Sequence, residues 1–239
     1  MSLQYDHGKI HLTFKHKKQQ MKKVALFISA AAFLAACNNS GNAEKATTTD
    51  AQAVTTTEGT SYKIDSTTTV TWTGFKPTGK HDGTFKVREG SLLVNNNTLT
   101  GGNFTIDINS LNNIDLANDA KQKAGLEGHL KSPDFFDAGK YPTAKFEITS
   151  VEPYVADSSS KTKDATHLIK GNLTLKDSTK NISFPAKVTV DANTVAAFAD
   201  FNIDRTLWGM NYKGPNNPQD WVISKEVNIK LAVSASKKQ

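Results

Sequence analysis

The chain has 239 residues, is 37% hydrophobic and 22% charged, and carries a formal charge of +6. Six lysines and one acid fall in residues 1–37, leaving 23 Lys+Arg against 22 Asp+Glu in residues 38–239. The body is therefore nearly neutral, which excludes the basic footprint of a nucleic-acid-binding protein, and a lone cysteine, Cys37, excludes an internal disulfide and a multi-cysteine zinc site.

Residues 1–20 precede a pattern that normally opens a chain, so Met21 is the expected start, and His7, His11 and His16 are set aside as metal ligands. Lys22 and Lys23 form a positive region, and Val24 to Phe33, "VALFISAAAF", is an apolar run too short for a comfortable transmembrane helix. "LAAC", Leu34 to Cys37, is similar to a bacterial lipobox. Residues 21–36 are thus expected to be a lipoprotein signal peptide and Cys37 the lipidation site. Two or three acyl chains, at about 0.8 kcal/mol per buried CH2, anchor a protein stably. The alternative is a free or buried cysteine ending an ordinary signal peptide. Asn39, at the second position after the cysteine, points to the outer membrane of a Gram-negative cell envelope, facing the periplasm or the surface. Residues 37–61, rich in Asn, Ala and Thr, are expected to be a flexible tether.

From Tyr62 onward the dominant period is two. Val70 and Trp72, Phe85 and Val87, and Phe104, Ile106 and Ile108 alternate with polar residues, as do Phe146 and Ile148, Leu173 and Leu175, and Ile182 to Val190. Val195 to Ile203 and Val227 to Val233 continue the pattern. The runs are separated by turn-like "NNN", "KDSTK" and "DANT". Eight or nine close-spaced strands with no alternating helices predict an all-β, antiparallel barrel or sandwich over residues 62–233, with 234–239 as a tail. One helical island, "DLANDAKQKAGLEGHL", offers Leu116, Ala120, Ala124 and Leu130, and is expected across a mouth or the outside of the sheet. Small inward residues, Ala186, Ala197 and Ala199, beside Phe104, Phe184 and Phe201 could leave an apolar cavity; opposing large side chains could equally fill it.

Three motifs carry polar chemistry. In "EGHLKSPDFFDAGKYPTAKFEI", Ser132-Pro133-Asp134 reads as a capped helical turn stopped by Gly139 and presenting Phe135 or Phe136 to the core. His129, Ser132 and Asp134 have the residue types of a hydrolytic triad but no nucleophile elbow, and His129, Asp134 and Asp137 lack a second histidine at metal-ligand spacing. No catalytic residue, metal or cofactor is therefore assigned. In "DRTLWGMNY", Arg205 beside Trp208 and Tyr212 suits a phosphate or carboxylate head; the alternative is an Asp204–Arg205 structural pair with Trp208 in the core. His81-Asp82-Gly83 reads as a tight turn, with His81 a candidate ligand contact.

The stretches "VTWTGFKPTGKHDGTFKVREGSL", "GGNFTIDINSL", "EGHLKSPDFFDAGKYPTAKFEITSV", "IKGNLTLKDSTKNISFPAKVTV" and "FNIDRTLWGMNY" together resemble the YceI-like family of lipocalin-like barrel proteins, in the versions found as lipoproteins or secreted proteins of Bacteroidetes-type bacteria. Two departures stand out: Asp177-Ser178 replaces a glycine turn, and Thr67–Thr69 follow the first "ID" where many members carry a histidine. The resemblance implies an extended eight-stranded antiparallel barrel with an elongated apolar cavity for a polyisoprenoid, an isoprenoid quinone or another amphiphilic lipid. The expected ligand-binding residues are Phe85, Phe104, Phe135, Phe136, Phe184, Phe201, Arg205 and Trp208. The expected function is lipid carriage, storage or sequestration by a non-enzymatic protein tethered to a membrane through acylated Cys37, with a homodimer compatible with the chain. The alternatives are a structural or stress-related envelope protein with a packed barrel, and an enzyme acting inside the barrel through an inward His81 or Arg205.

Overall fold

The computed structural model describes residues 42–55, 58–214 and 223–237. Cys37 and the signal-like segment before it lie outside the described residues. The strands are β1 (Glu44–Lys45), β2 (Thr47–Asp50), β3 (Thr60–Ile64), β4 (Thr69–Lys76), β5 (Gly79–Asn95), β6 (Thr98–Asn113), β7 (Thr143–Pro153), β8 (His167–Leu175), β9 (Ser178–Val190), β10 (Thr194–Asp204) and β11 (Glu226–Lys237). One α-helix, α1 (Ala120–Lys131), links β6 to β7, and a 3-10 turn (Arg205–Trp208) follows β10.

β5 to β11 pair with their sequence neighbours in antiparallel fashion, and β11 returns to β3 and β4. β3 and β4 both lie between β5 and β11, one beyond the other, so they share one strand position in an eight-stranded closed barrel. Closure removes the free edges of the barrel except along one seam. β3 begins at Thr60 and β11 runs to Lys237, so residues 234–237, expected as a tail, belong to the wall.

Turn chemistry sets the registers. Asn96 and Asn97 both take positive φ, 49° and 60°, in the two-residue β5–β6 turn, the geometry that suits strand twist. In the β8–β9 turn, Lys176-Asp177, only Lys176 takes positive φ, at 54°. The β4–β5 turn is Pro77-Thr78, and His81-Asp82-Gly83 lies inside β5 rather than forming the turn. Gly83 has another purpose: a Cβ there would meet the Trp72 ring at 2.4 Å.

The wall has a seam. β9 and β10 pair only from Lys187 to Val190 and from Val195 to Phe198. Pro185, which has no N–H to give, sits just past that point. Residues 44–50 fill the gap: β1 runs parallel to β10 with Glu44 opposite Phe201, and β2 runs antiparallel to β9 with Thr48 opposite Ile182. The Ala46 N–H donates to Asn202 O at 2.9 Å, and the Ala46 side chain is buried. Gln52 then exchanges two bonds with the Asn172 amide, at 3.0 and 2.7 Å. The expectation of a continuous flexible tether over residues 37–61 is corrected here: part of it is barrel wall. Its composition hid this, because edge pairing uses backbone groups and needs one small buried side chain.

α1 starts at Ala120, one residue after its cap Asp119, whose side chain accepts from the Gln122 N–H. Leu116 precedes the helix, and the face turned to the barrel carries Leu126, His129 and Leu130 rather than Ala120 and Ala124. Ser132 is the C-cap of α1, not the start of a new helical turn. The left-handed residue that ends the segment is Asp137, φ 48°, not Gly139.

Candidate functional site

One end of the barrel is packed solid. Tyr62, Ile64, Leu92, Leu99, Val195 and Ala235 are buried there. Toward the other end the interior opens into a cavity of about 420 Å³, within the range of small-molecule sites. Its deep wall is apolar: Val70, Ile106, Ile108, Ala144, Leu173, Leu175, Ile182, Ile203 and Leu231 line it with a belt of aromatic rings. Phe104 meets Phe146 at 5.4 Å between centroids, Phe146 meets Phe184 at 5.9 Å, and Phe184 stacks on Phe201 at 4.0 Å. β8 makes room for the belt with Gly171, whose hypothetical Cβ would lie 2.3 Å from the Phe146 ring.

Seven of the eight expected ligand residues line this cavity: Phe85, Phe104, Phe135, Phe136, Phe184, Phe201 and Arg205. Trp208 does not. It is buried to one side, its indole N–H donating to Leu173 O at 3.0 Å, as expected of a core residue. The residues missed were the aliphatic partners on the same strand faces. Alternation marked them as inward but could not separate the hollow end from the packed end. The small residues Ala186 and Ala199 are buried but not at the cavity, and Ala197 is only partly buried.

The mouth is framed by α1, the β4–β5 turn and the segments around Tyr212 and Ile223. Arg205 is 3% exposed, and its fork is consumed by backbone carbonyls: Nε donates to Ser224, Nη1 to Met210, and Nη2 to Tyr212 and Ile223 at 3.0 and 3.2 Å. Burial pulls its guanidinium below its ordinary range, against the attraction of Asp204. Arg205 is thus a staple of the mouth, the structural role that the sequence left open beside a head-binding fork. Asp204 makes its ion pair with Lys225 at 3.3 Å and accepts from the Thr206 N–H and hydroxyl.

Burial alone would raise the Asp204 carboxyl, but the two Thr206 bonds and Lys225 outweigh it and hold it below the usual carboxylate range. A depressed folded-state value stabilises the fold above the unfolded value and loses that contribution as pH falls through the folded one. Asp204→Asn is therefore expected to lower the thermal midpoint at neutral pH, with the gap to wild type closing below about pH 4. Melting curves taken across that range check this; a gap that stays constant into acid would contradict it.

His129 Nε2 meets Asp134 Oδ2 at 3.0 Å and packs edge-on against Phe135 and Tyr212. Ser132 does not join them; its Oγ accepts from the Asp134 N–H at 3.4 Å. No nucleophile–base pair results. His81 bonds Asp115 at 2.8 Å. Among the described residues no group of three or more His, Cys, Asp or Glu is placed to hold a metal, and no helix is long and apolar enough to cross a membrane.

A closed antiparallel barrel with an apolar cavity reached through a polar mouth is a lipocalin-like architecture, a class suited to holding one small ligand. The YceI-like domain matches residues 62–235, and the chain belongs to that family. A UPF0312 protein of Pseudomonas paraeruginosa is 32% identical over 111 residues, 46% of this chain; the chain spans 50% of that relative's length. The fold is shared with BcnA of Burkholderia cenocepacia (TM-score 0.56, 19% identity, 72% of this chain and 99% of that one). It is also shared with a polyisoprenoid binding domain from Saccharophagus degradans implicated in plant cell wall breakdown (TM-score 0.50, 14% identity, 74% and 98%).

Proposed function

We propose that the protein binds an amphiphilic lipid, its apolar chain inside the barrel and its head at the mouth, as a carrier or store and not as an enzyme. The carrying observation is the cavity of about 420 Å³ walled by aliphatic side chains and the phenylalanine belt. Each CH2 moved from water into such a wall contributes about 0.8 kcal/mol, so a chain of several isoprene units binds through burial alone. The Saccharophagus degradans domain of the same fold, described as polyisoprenoid binding, supports an isoprenoid chain, and an isoprenoid quinone fits the same description. Extraction of protein purified from its native membrane, followed by mass spectrometry, tests the reading. A co-purifying long-chain amphiphile is expected; delipidated protein that takes up no isoprenoid or other amphiphile would overturn it.

The proposal includes an anchor. The lipobox-like "LAAC" supports acylation of Cys37 and attachment to the envelope of a Gram-negative bacterium. Cys37→Ser is expected to release the protein in soluble form while leaving its melting curve unchanged. A variant that still fractionates with membranes and still carries lipid would refute the anchor without touching the cavity.

A further inference from the structure

The cavity's polar end carries one sign of charge. Among the described residues no Asp or Glu lines it, whereas Lys76, His81, Arg205 and Lys213 all do. Arg205 is engaged with carbonyls, which leaves the two lysines. We propose that Lys76 and Lys213 form a head-group site for an anionic amphiphile, one ending in a phosphate or carboxylate, in preference to a neutral alcohol or quinone of the same chain. This rests on the cavity being the chain-binding site.

The geometry supports a built site. The Asp115 carboxylate accepts from the Asp82 N–H at 2.8 Å and from the Asn113 amide at 2.6 Å. Burial opposes its charge, but those bonds together with His81 hold it below the usual carboxylate range. A carboxylate only accepts, so His81 Nδ1 carries the proton at their 2.8 Å contact. In the neutral ring Nε2 is then an acceptor, and it faces the Lys76 ammonium at 3.4 Å. Asp115 and His81 therefore orient Lys76 without placing a carboxylate against it.

Lys213 lies on the other side of the same short segment. Its carbonyl accepts from the Ile223 N–H at 2.8 Å, while the carbonyl of Phe75, next to Lys76, accepts from the Ser224 N–H at 2.9 Å. Lys213 has φ 45°, a region that residues with side chains seldom adopt and that concentrates at ligand clamps. Its ammonium stands 5.6 Å from the centre of the Tyr212 ring, another cavity-lining group. Among the described residues neither lysine makes an ion pair. A neutral head leaves both cations as they are; an anionic head gains their attraction beside a low-dielectric wall.

The test is calorimetric titration of the mature protein with geranylgeranyl phosphate and with geranylgeraniol, which share a chain and differ in head charge. The phosphate is expected to bind roughly tenfold more tightly, the scale of a few partly exposed charge contacts. The preference is expected to shrink as salt rises and to approach unity in the Lys76→Gln/Lys213→Gln double variant. Equal affinities in wild type would overturn the head-group site and leave the cavity reading standing. Failure of both probes to bind would overturn both. Inorganic phosphate alone binding as strongly as the phosphate probe would also overturn it, since the site would then recognise a free anion and not the head of a buried chain. Should the double variant not fold, the salt dependence of the wild-type preference decides.

Discussion

Removing residues 38–52 is expected to lower the thermal midpoint of the barrel by about 6–12 °C, corresponding to ~3 kcal/mol in a domain of this size. The segment supplies partners to two edges that have none elsewhere among the described residues. Glu44 and Lys45 pair with Phe201 and Asn202, and Thr47 to Asp50 pair with Ser183 to Lys180. Lys180 and Asp50 add an ion pair at 2.9 Å, but Asp50 is so exposed that its contribution is small. Several net hydrogen bonds at about 0.5–1.5 kcal/mol each, less the ordering entropy the segment no longer has to lose, give the stated figure. Ala46→Asp, which sets a carboxylate at a site only 3% exposed, is expected to do similar damage without shortening the chain. Differential scanning calorimetry of proteins beginning at residue 38 and residue 53 makes the comparison. Coincident transitions would mean that β9 and β10 tolerate an open seam.

Gly74→Leu is expected to weaken lipid binding about a hundredfold while leaving the fold intact. Gly74 lines the cavity from β4, and a Cβ there meets nothing closer than a Trp72 ring carbon at 4.0 Å. A leucine can therefore grow inward without pushing the wall, occupying volume that three or four chain carbons would otherwise fill. At about 0.8 kcal/mol per CH2 the loss is ~2.5–3 kcal/mol, close to two orders of magnitude in affinity. Titration with a long-chain isoprenoid reads it directly. Unchanged affinity would place the chain somewhere other than this cavity. Gly83→Leu serves as a contrast, since its side chain would drive into the Trp72 ring and destabilise the barrel itself.

The strand faces were legible because period two is written plainly in runs such as Phe104, Ile106 and Ile108, whose inward side is buried throughout. The same signal left a barrel or a sandwich open; the closed eight-stranded barrel with its cavity was implied by the resemblance to a known family. What alternation cannot encode is depth along the barrel axis. Val195 and Phe201 lie on the same face of β10, yet only Phe201 borders the hollow. Arg205 stood out in the sequence as a head-binding fork or a structural residue, but its partners, the carbonyls of Met210, Tyr212, Ile223 and Ser224, are reached through tertiary folding alone. Lys76 and Lys213 are 137 positions apart and carry no motif; only the meeting of Phe75 with Ser224 and of Lys213 with Ile223 brings their segments together. The wall segment at residues 44–50 was hidden for a different reason: "EKATTTD" has no apolar alternation, and its fit depends on a gap made by strands more than 100 positions away.

On the anchor proposed at Cys37, that wall segment sets the length of the leash. Were residues 37–61 all slack, the chain between an acylated Cys37 and the barrel could extend to roughly 80 Å. With Glu44 stitched to Phe201, the leash is only the seven peptide units from Cys37 to Glu44, about 24 Å at full stretch. The volume such a body can explore scales with the cube of its leash, so it contracts roughly forty-fold. The barrel would ride close against its own bilayer, suited to handing lipid to and from that surface and poorly suited to crossing toward another.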